Sequence, residues 1–172
     1  MDATQRRNSI LNEIIQGNPP VSATVLAKRF NVSRQVIVGD IALLRAQGQE
    51  IIATSRGYIA SNFRETNQYI GKVVCQHNAD NTKDELYTIV DSGAVAVNVI
   101  VEHEIYGEIT GQLNVKSHED ADVFIDRLNA SEVKLLSELT MGVHLHTVTC
   151  RDKTHFDQLC RALDKAGYLY KG

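Results

Sequence analysis

The chain has 172 residues, 43% of them hydrophobic, and a formal net charge of −3 at pH 7, which suits one domain or two small ones. No apolar run approaches the roughly 20 residues of a membrane span, and the first residues lack the apolar stretch of a signal peptide. A cytoplasmic protein with no membrane partner is therefore expected. Cys75, Cys150 and Cys160 are far apart and form no C-x-x-C pair, as in a protein that keeps reduced thiols. Charge is uneven: residues 1–60 hold seven basic side chains against four acidic ones, and residues 61–172 hold eleven against seventeen. A small basic module on a larger acidic one is the pattern of a DNA-binding head on a sensing body.

Ile10, Leu11, Ile14 and Ile15 form the stripe of an amphipathic helix over residues 6–16, stopped by Gly17-Asn18-Pro19-Pro20. Ser22 is placed to cap a second helix ending at Phe30, with Val25, Leu26 and Phe30 on one face. After Asn31-Val32, Ser33 is placed to cap a third helix running to about residue 47, where Gly48 ends it. Val36, Ile37, Ile41 and Leu44 form its buried stripe, and Arg34, Gln35 and Val38 face outward. Two helices joined by so short a turn make a helix-turn-helix, whose second helix enters the major groove of double-stranded DNA by its N-terminal end. Ser33, Arg34 and Gln35 are its DNA-binding candidates: Arg34 can pair with guanine and Gln35 with adenine. Residues 51–54 and 58–60 read as a hairpin, a wing with Arg56 at its tip for a phosphate or minor-groove contact.

Leu26-Ala27-Lys28-Arg29-Phe30-Asn31-Val32-Ser33-Arg34-Gln35, with Asp40-Ile41-Ala42-Leu43-Leu44-Arg45 and Gly57-Tyr58-Ile59, resembles the winged helix-turn-helix of the biotin-repressor-like bacterial regulators. The resemblance covers about the first 60 residues. Val38-Gly39 departs from it, standing where such regulators often carry a polar or basic residue.

Residues 61–68 are polar and aperiodic, so the boundary is placed there: residues 1–60 a winged helix-turn-helix, 61–68 a linker, 69–172 a second domain. Beyond the linker come a strand over 69–76, a helix from Thr82 to about residue 91, and strands over 94–101 and 107–115. A helix opening at Ser117, a short apolar stretch 135–139, a strand over 142–148 and a helix over 152–166 complete the chain. The order β-α-β-β-α-β-α predicts an α+β fold, a two-layer α/β sandwich of HPr-like or ferredoxin-like topology.

Gly142-Val143-His144-Leu145-His146-Thr147-Val148 carries the chemistry. Strand alternation puts His144 and His146 on one face, their Cβ atoms roughly 6–7 Å apart, and turns Leu145 toward a core. Two such imidazoles can converge on one metal ion or anionic ligand; they also suit a solvated sheet face. His77 closes the first strand and Glu85 lies one turn into the following helix. Three histidines and a carboxylate would make a four-ligand set for Zn²⁺ or a neighbouring divalent metal. Glu85 equally fits a capping box, Thr82-x-x-Glu85. His103, between Glu102 and Glu104, is a turn residue or a polar group over a pocket. His118 and His155 read as surface groups, and Cys75 as a small buried thiol.

His77, Val101-x-His103-x-x-Tyr106-Gly107, Leu135-Leu136-Ser137-Glu138-Leu139-Thr140 and Gly142-Val143-His144-Leu145-His146-Thr147 resemble the 3H domain of niacin-responsive transcription repressors of the NiaR/YrxA type. The resemblance spans most of residues 69–172. It implies a repressor that binds operator DNA with nicotinic acid (or nicotinamide) as effector, controls genes of NAD biosynthesis or niacin uptake, and acts as a homodimer. It implies a divalent metal, zinc or nickel, on His77, Glu85, His144 and His146, and a ligand-binding role for His103. The rival readings are a regulator sensing the metal itself and a metal-dependent hydrolase with Glu102 or Glu104 as base. A phosphocarrier would rest on topology alone.

Overall fold

The structure, a computed structural model, describes residues 2–16, 20–54, 56–60 and 68–172. Two compact units form, Met1–Glu65 and Thr66–Gly172. All but the last residue of the expected linker, and most of the Gly17–Pro20 stop, lie outside the described residues.

In the first unit, helices α1 (Ala3–Gln16), α2 (Ala23–Phe30) and α3 (Arg34–Ala46) precede the hairpin β1 (Ile51–Ala53) and β2 (Tyr58–Ala60). Two serine caps start the helix pair: Ser22 Oγ accepts from Val25 N and Ser33 Oγ from Val36 N, each at 3.2 Å. Asn31 closes α2 in the left-handed region. Ile10, Ile14, Leu26, Ile37, Ile41 and Leu44 fill the core. Two stripe positions need correction. Val25 and Val36 are exposed, because the buried rows are Ala23, Leu26 and Ala27 on α2 and Ile37, Asp40, Ile41 and Leu44 on α3. A charge occupies the place an apolar residue was expected to hold: buried Asp40 accepts from Arg6 Nε at 2.6 Å, tying α3 to α1. The wing is stitched to the chain ahead of α2, Tyr58 N donating to Val21 O at 2.8 Å and Val21 N to Tyr58 O at 3.1 Å.

In the second unit, strands β3 (Tyr69–Gln76), β4 (Val95–His103), β5 (Gly107–Val115) and β6 (Val143–Cys150) form one antiparallel sheet in the order β3-β6-β4-β5. Of the two topologies expected, this is the HPr-like one. The last strand is inserted between the first and second, so β6 lies at the centre of the sheet. Helices α4 (Thr82–Asp91), α5 (His118–Asn129) and α6 (Lys153–Ala166) pack on one face over Cys75, Leu86, Ile89, Val148, Leu159 and Leu163. The apolar stretch near 135–139 is a 3-10 turn, Leu136–Thr140, lying against β4 and β6.

The faces of β6 are the reverse of those expected. His144 and His146 are 2% and 3% exposed and look into the helix-covered core, whereas Leu145 is half-buried on the other face. In the register of the sheet His144 faces Cys75 and His146 faces Val73, both core residues. The chain after α6 pairs with the outer edge of β3, Gln76 N donating to Tyr168 O and Tyr170 N to Val74 O.

The wing joint generates a stability prediction. Gly57 has φ +145°, and a Cβ there would lie 2.5 Å from the Val21 carbonyl carbon. Gly57→Ala is expected to lower the stability of the first unit by about 1–3 kcal/mol, read as a fall in its unfolding midpoint with the second unit's transition unchanged.

Candidate functional site

Glu85 points inward from the first turn of α4 and is 1% exposed. The capping box does not form: Asn81 is the N-cap and makes no side-chain bond, and the Glu85 carboxylate lies among three imidazoles. His77 Nε2 is 2.7 Å from Oε2, and His144 Nε2 and His146 Nε2 are 2.9 and 3.1 Å from Oε1. The rings meet edge to face, with centroids 4.9 Å apart for His77 and His144 and 4.8 Å for His144 and His146.

Backbone carbonyls aim all three rings. His77 Nδ1 donates to Asn78 O at 2.7 Å, His144 Nδ1 to Gly142 O at 2.8 Å, and His146 Nδ1 to Asn98 O at 2.7 Å. A carbonyl accepts only from a protonated nitrogen, so the neutral rings carry their proton on Nδ1 and present a lone pair at Nε2. The Asn98 bond depends on an irregularity. The register of β4 shifts beside Ala96, and there Asn98 Oδ1 accepts from Thr147 N at 3.0 Å while its main-chain oxygen turns to the imidazole.

Three nitrogen lone pairs and a carboxylate at these distances repel one another unless protons or a cation lie between them. His77 Nε2 is buried and makes no hydrogen bond; Oε2 is close enough for an ion pair but lies off the line a ring N–H would take. An orphaned buried nitrogen aimed at the same centre as two others fits a metal ion. Nitrogen and oxygen donors in this number suit Zn²⁺ or a neighbouring divalent ion. Tetrahedral ligands about 2.0–2.1 Å from zinc stand about 3.3–3.4 Å apart, so the set would open only slightly to admit one.

Protons play the cation's part when no metal is bound. Burial pushes the Glu85 carboxyl up, but the charge of His146, the hydrogen bonds of His144 and His146 and the close approach of His77 outweigh it and hold the group well below the usual carboxylate range. Burial favours neutral rings at His77 and His146, yet Glu85 outweighs it and raises both. A metal ion would displace these protons.

Cys75 was read only as a buried thiol, and it also touches the cluster. It is 0% exposed, and its Sγ, a Glu85 oxygen and a His144 nitrogen all lie within 4.8 Å of one another. Burial and the Glu85 charge push the thiol up, leaving a neutral S–H against the carboxylate. Thr82, expected only as part of a helix start, and Ser137, expected only within the 135–140 stretch, line the adjoining cavity. His103 stays within its hairpin: its Nδ1 accepts from Ile105 N at 3.2 Å and Tyr106 N at 3.4 Å, and its ring packs on Tyr106. No bond among the described residues links it to the cluster. His118 is exposed, stacked on Tyr87 and paired with Asp91; half-buried His155 bonds Asp152.

In the first unit, Arg34 and Gln35 are exposed in the first turn of α3. Ser33 is exposed too, but its oxygen serves as the cap. Arg56, in the turn between β1 and β2, is half-buried beside a groove shared with Glu13, Val25 and Arg29.

Residues 70–172 match the 3H domain family and residues 6–59 an HTH domain family. The chain is 40% identical over 168 residues to the transcription repressor NadR of Bacillus subtilis (strain 168), covering 96% of this chain and 93% of that protein. It is 38% identical over 165 residues to the probable transcription repressor NiaR of Thermotoga maritima, with the same coverage of each.

The cluster generates two predictions. A raised imidazole contributes stability in full below its unfolded pKa of about 6.5 and loses it as pH rises through its higher folded value. Glu85, depressed, contributes above about 4.3 and loses it only in stronger acid. Chelated protein is expected to be most stable between those limits, its unfolding midpoint falling from about pH 6.5 upward; a flat profile would contradict the imidazole–carboxylate pairing. Gly142 has φ +89°, and a Cβ there would lie 2.3 Å from His77 O. Gly142→Ala is expected to push the His77 loop from β6 and weaken Zn²⁺ binding about 10- to 100-fold in competition with a chromophoric chelator.

Proposed function

The chain belongs to the family of HTH–3H transcription repressors, and from that premise we propose that it represses transcription by binding operator DNA in response to nicotinic acid. The genes it controls would be those of NAD biosynthesis or niacin uptake. His77, Glu85, His144 and His146 hold a divalent transition metal, zinc or nickel, next to the effector site. The protein acts in the cytoplasm; among the described residues no helix is long and apolar enough to cross a membrane.

One observation carries the effector reading. A cavity adjoins the cluster, with His77, Glu85, His144 and His146 at one end and Leu86, Val99, Leu113, Phe124, Leu135 and Leu136 as walls. Apolar walls with a few convergent polar groups at one end are what a small aromatic ring bearing a polar substituent requires. The bound metal supplies a Lewis-acid position for a pyridine nitrogen or a carboxylate. The chain's own residues do the rest. The three backbone carbonyls fix the imidazoles, Glu85 balances the charge, and the apolar walls exclude water.

As it stands the cavity is about 30 Å³, roughly the share of one water molecule in the liquid. A pyridine carboxylate enters only as its surroundings give way. The Leu135–Ser137 segment is the wall we expect to move, flanked by the exposed residues 130–134 on one side and by left-handed Met141 and Gly142 on the other, with hydrogen bonds to Glu138 and Gly142 nearby in the chain. Effector binding is thus tied to a rearrangement, and it shifts an equilibrium only by its differential affinity for the two states. In a two-fold homodimer the state so favoured presents two recognition helices to half-sites about 34 Å apart.

The hydrolase reading loses its nominated bases. Glu102 and Glu104 are exposed on and beside a hairpin whose bonds do not reach the cluster. Metal sensing without an effector keeps one observation in its favour, the full set of four donors.

A thermal-shift panel of metal-loaded and chelated protein separates these readings. Nicotinate is expected to raise the unfolding midpoint only with metal present; DNA binding that follows Zn²⁺ or Ni²⁺ but ignores nicotinate would establish metal sensing instead. In fluorescence anisotropy, nicotinate should tighten operator binding, and His144→Ala should abolish that response while non-specific binding persists. Arg34→Ala is expected to weaken operator binding by about 1–3 kcal/mol through one lost base contact.

A further inference from the structure

Thr82 opens α4 at 7% exposure, and its Oγ1 has no hydrogen-bond partner. A helical threonine hydroxyl can bond the carbonyl three or four residues back. Here the nearer one, Ala79 O, accepts from Thr82 N, and the farther one, Asn78 O, accepts from His77 Nδ1 at 2.7 Å and from Asn81 N at 3.2 Å. The carboxylate one turn ahead, Glu85, is held by the imidazoles. The Thr82 hydroxyl is left without a partner on the wall of the cavity that Ser137 also lines. A buried hydroxyl without a protein partner is rare in a folded protein, and this one lines a cavity whose contents, a water or a ligand group, would complete its bonding. Its setting, the first turn of a ten-residue helix, favours negative charge through the helix dipole.

We infer that Thr82 is the effector-reading residue, its hydroxyl donating to a carboxylate oxygen of the pyridine carboxylate in the cavity and so selecting acid over amide. This rests on the effector reading of the cavity given above. A hydroxyl bonded to a carboxylate makes a charge-assisted bond, stronger than one to a neutral amide oxygen. A ring lacking the substituent makes none and leaves Thr82 orphaned. Thr82 is a specificity residue distinct from the metal donors: its removal alters ligand choice and leaves the metal in place.

The test is calorimetric titration of Zn²⁺-loaded full-length protein with nicotinate, nicotinamide and 3-methylpyridine, using wild type, Thr82→Val and Thr82→Ser. A hydrogen bond to a charged group worth about 1.5–3 kcal/mol corresponds to an affinity change of about 10- to 100-fold. Thr82→Val is expected to bind nicotinate weaker by that factor, to bind nicotinamide and 3-methylpyridine nearly as wild type does, and to keep its Zn²⁺ affinity. Thr82→Ser, which retains the hydroxyl, is expected to restore most of the loss. Nicotinate affinity within two-fold of wild type in Thr82→Val overturns the assignment while the effector reading stands. No binding of nicotinate by wild type overturns both. Should Thr82→Val not fold, Thr82→Ala takes its place: nicotinate affinity within two-fold of wild type overturns the assignment, and a tenfold or greater loss with Zn²⁺ affinity kept supports it.

Discussion

Taking a carboxylate out of water costs several kcal/mol even after the surroundings relax, and Glu85 lies in the core of the second unit at 1% exposure. Nothing apolar can offset that, so positive charge must be brought to it. The unit does this with three imidazoles, one from the loop after β3 and two from β6, and each ring is aimed by its own backbone carbonyl. The demand of one side chain thereby fixes the loop after β3, the start of β6 and the irregular course of β4 at Asn98. Alternation along β6 then sets both of its imidazoles on the face that the helix layer covers, where the carboxylate descends.

Much of this fold was legible in the sequence because its signals are local. Helix caps at Ser22, Ser33 and Ser117, the alternation along β5 and the order of elements each depend on a few neighbouring residues. What was not legible depends on the other side of a contact. Alternation pairs His144 with His146 and opposes Leu145, but it does not say which set faces the helices. Hydropathy alone assigns the leucine inward, and here the buried carboxylate reverses it. Val25 and Val36 are exposed for a related reason: which row of a helix is buried is set by what packs against it, and on α3 that row includes Asp40 because Arg6 of α1 meets it.

The candidate site divides along the same line. Its histidines and Glu85 stood out as residue types able to bind metal, and Glu85 had a competing local explanation in the capping box. The tertiary structure removes that explanation, because Asn81 caps the helix without a side-chain bond and Glu85 turns inward. Cys75, Thr82 and Ser137 carried no signal of their own. Cys75 meets the cluster only through the register of β3 with β6. Thr82 matters only because the carbonyls behind it, Ala79 O and Asn78 O, already accept from other groups.

Size then constrains the switch. A cavity of about 30 Å³ is too small for a pyridine carboxylate, so the proposed effector would favour an opened arrangement. A ligand that binds two states alike shifts nothing, whereas one that binds a single state commits its whole binding free energy to that state. The three imidazoles are held from behind by the carbonyls of Asn78, Gly142 and Asn98, whereas the Leu135–Ser137 wall bonds within its own turn, to Glu138 and Gly142. Opening therefore falls on the wall, which adjoins β6 through left-handed Met141 and Gly142. A tight, pre-formed pocket would have given the effector stronger contacts and a weaker hold on the conformation; the closed one exchanges affinity for control.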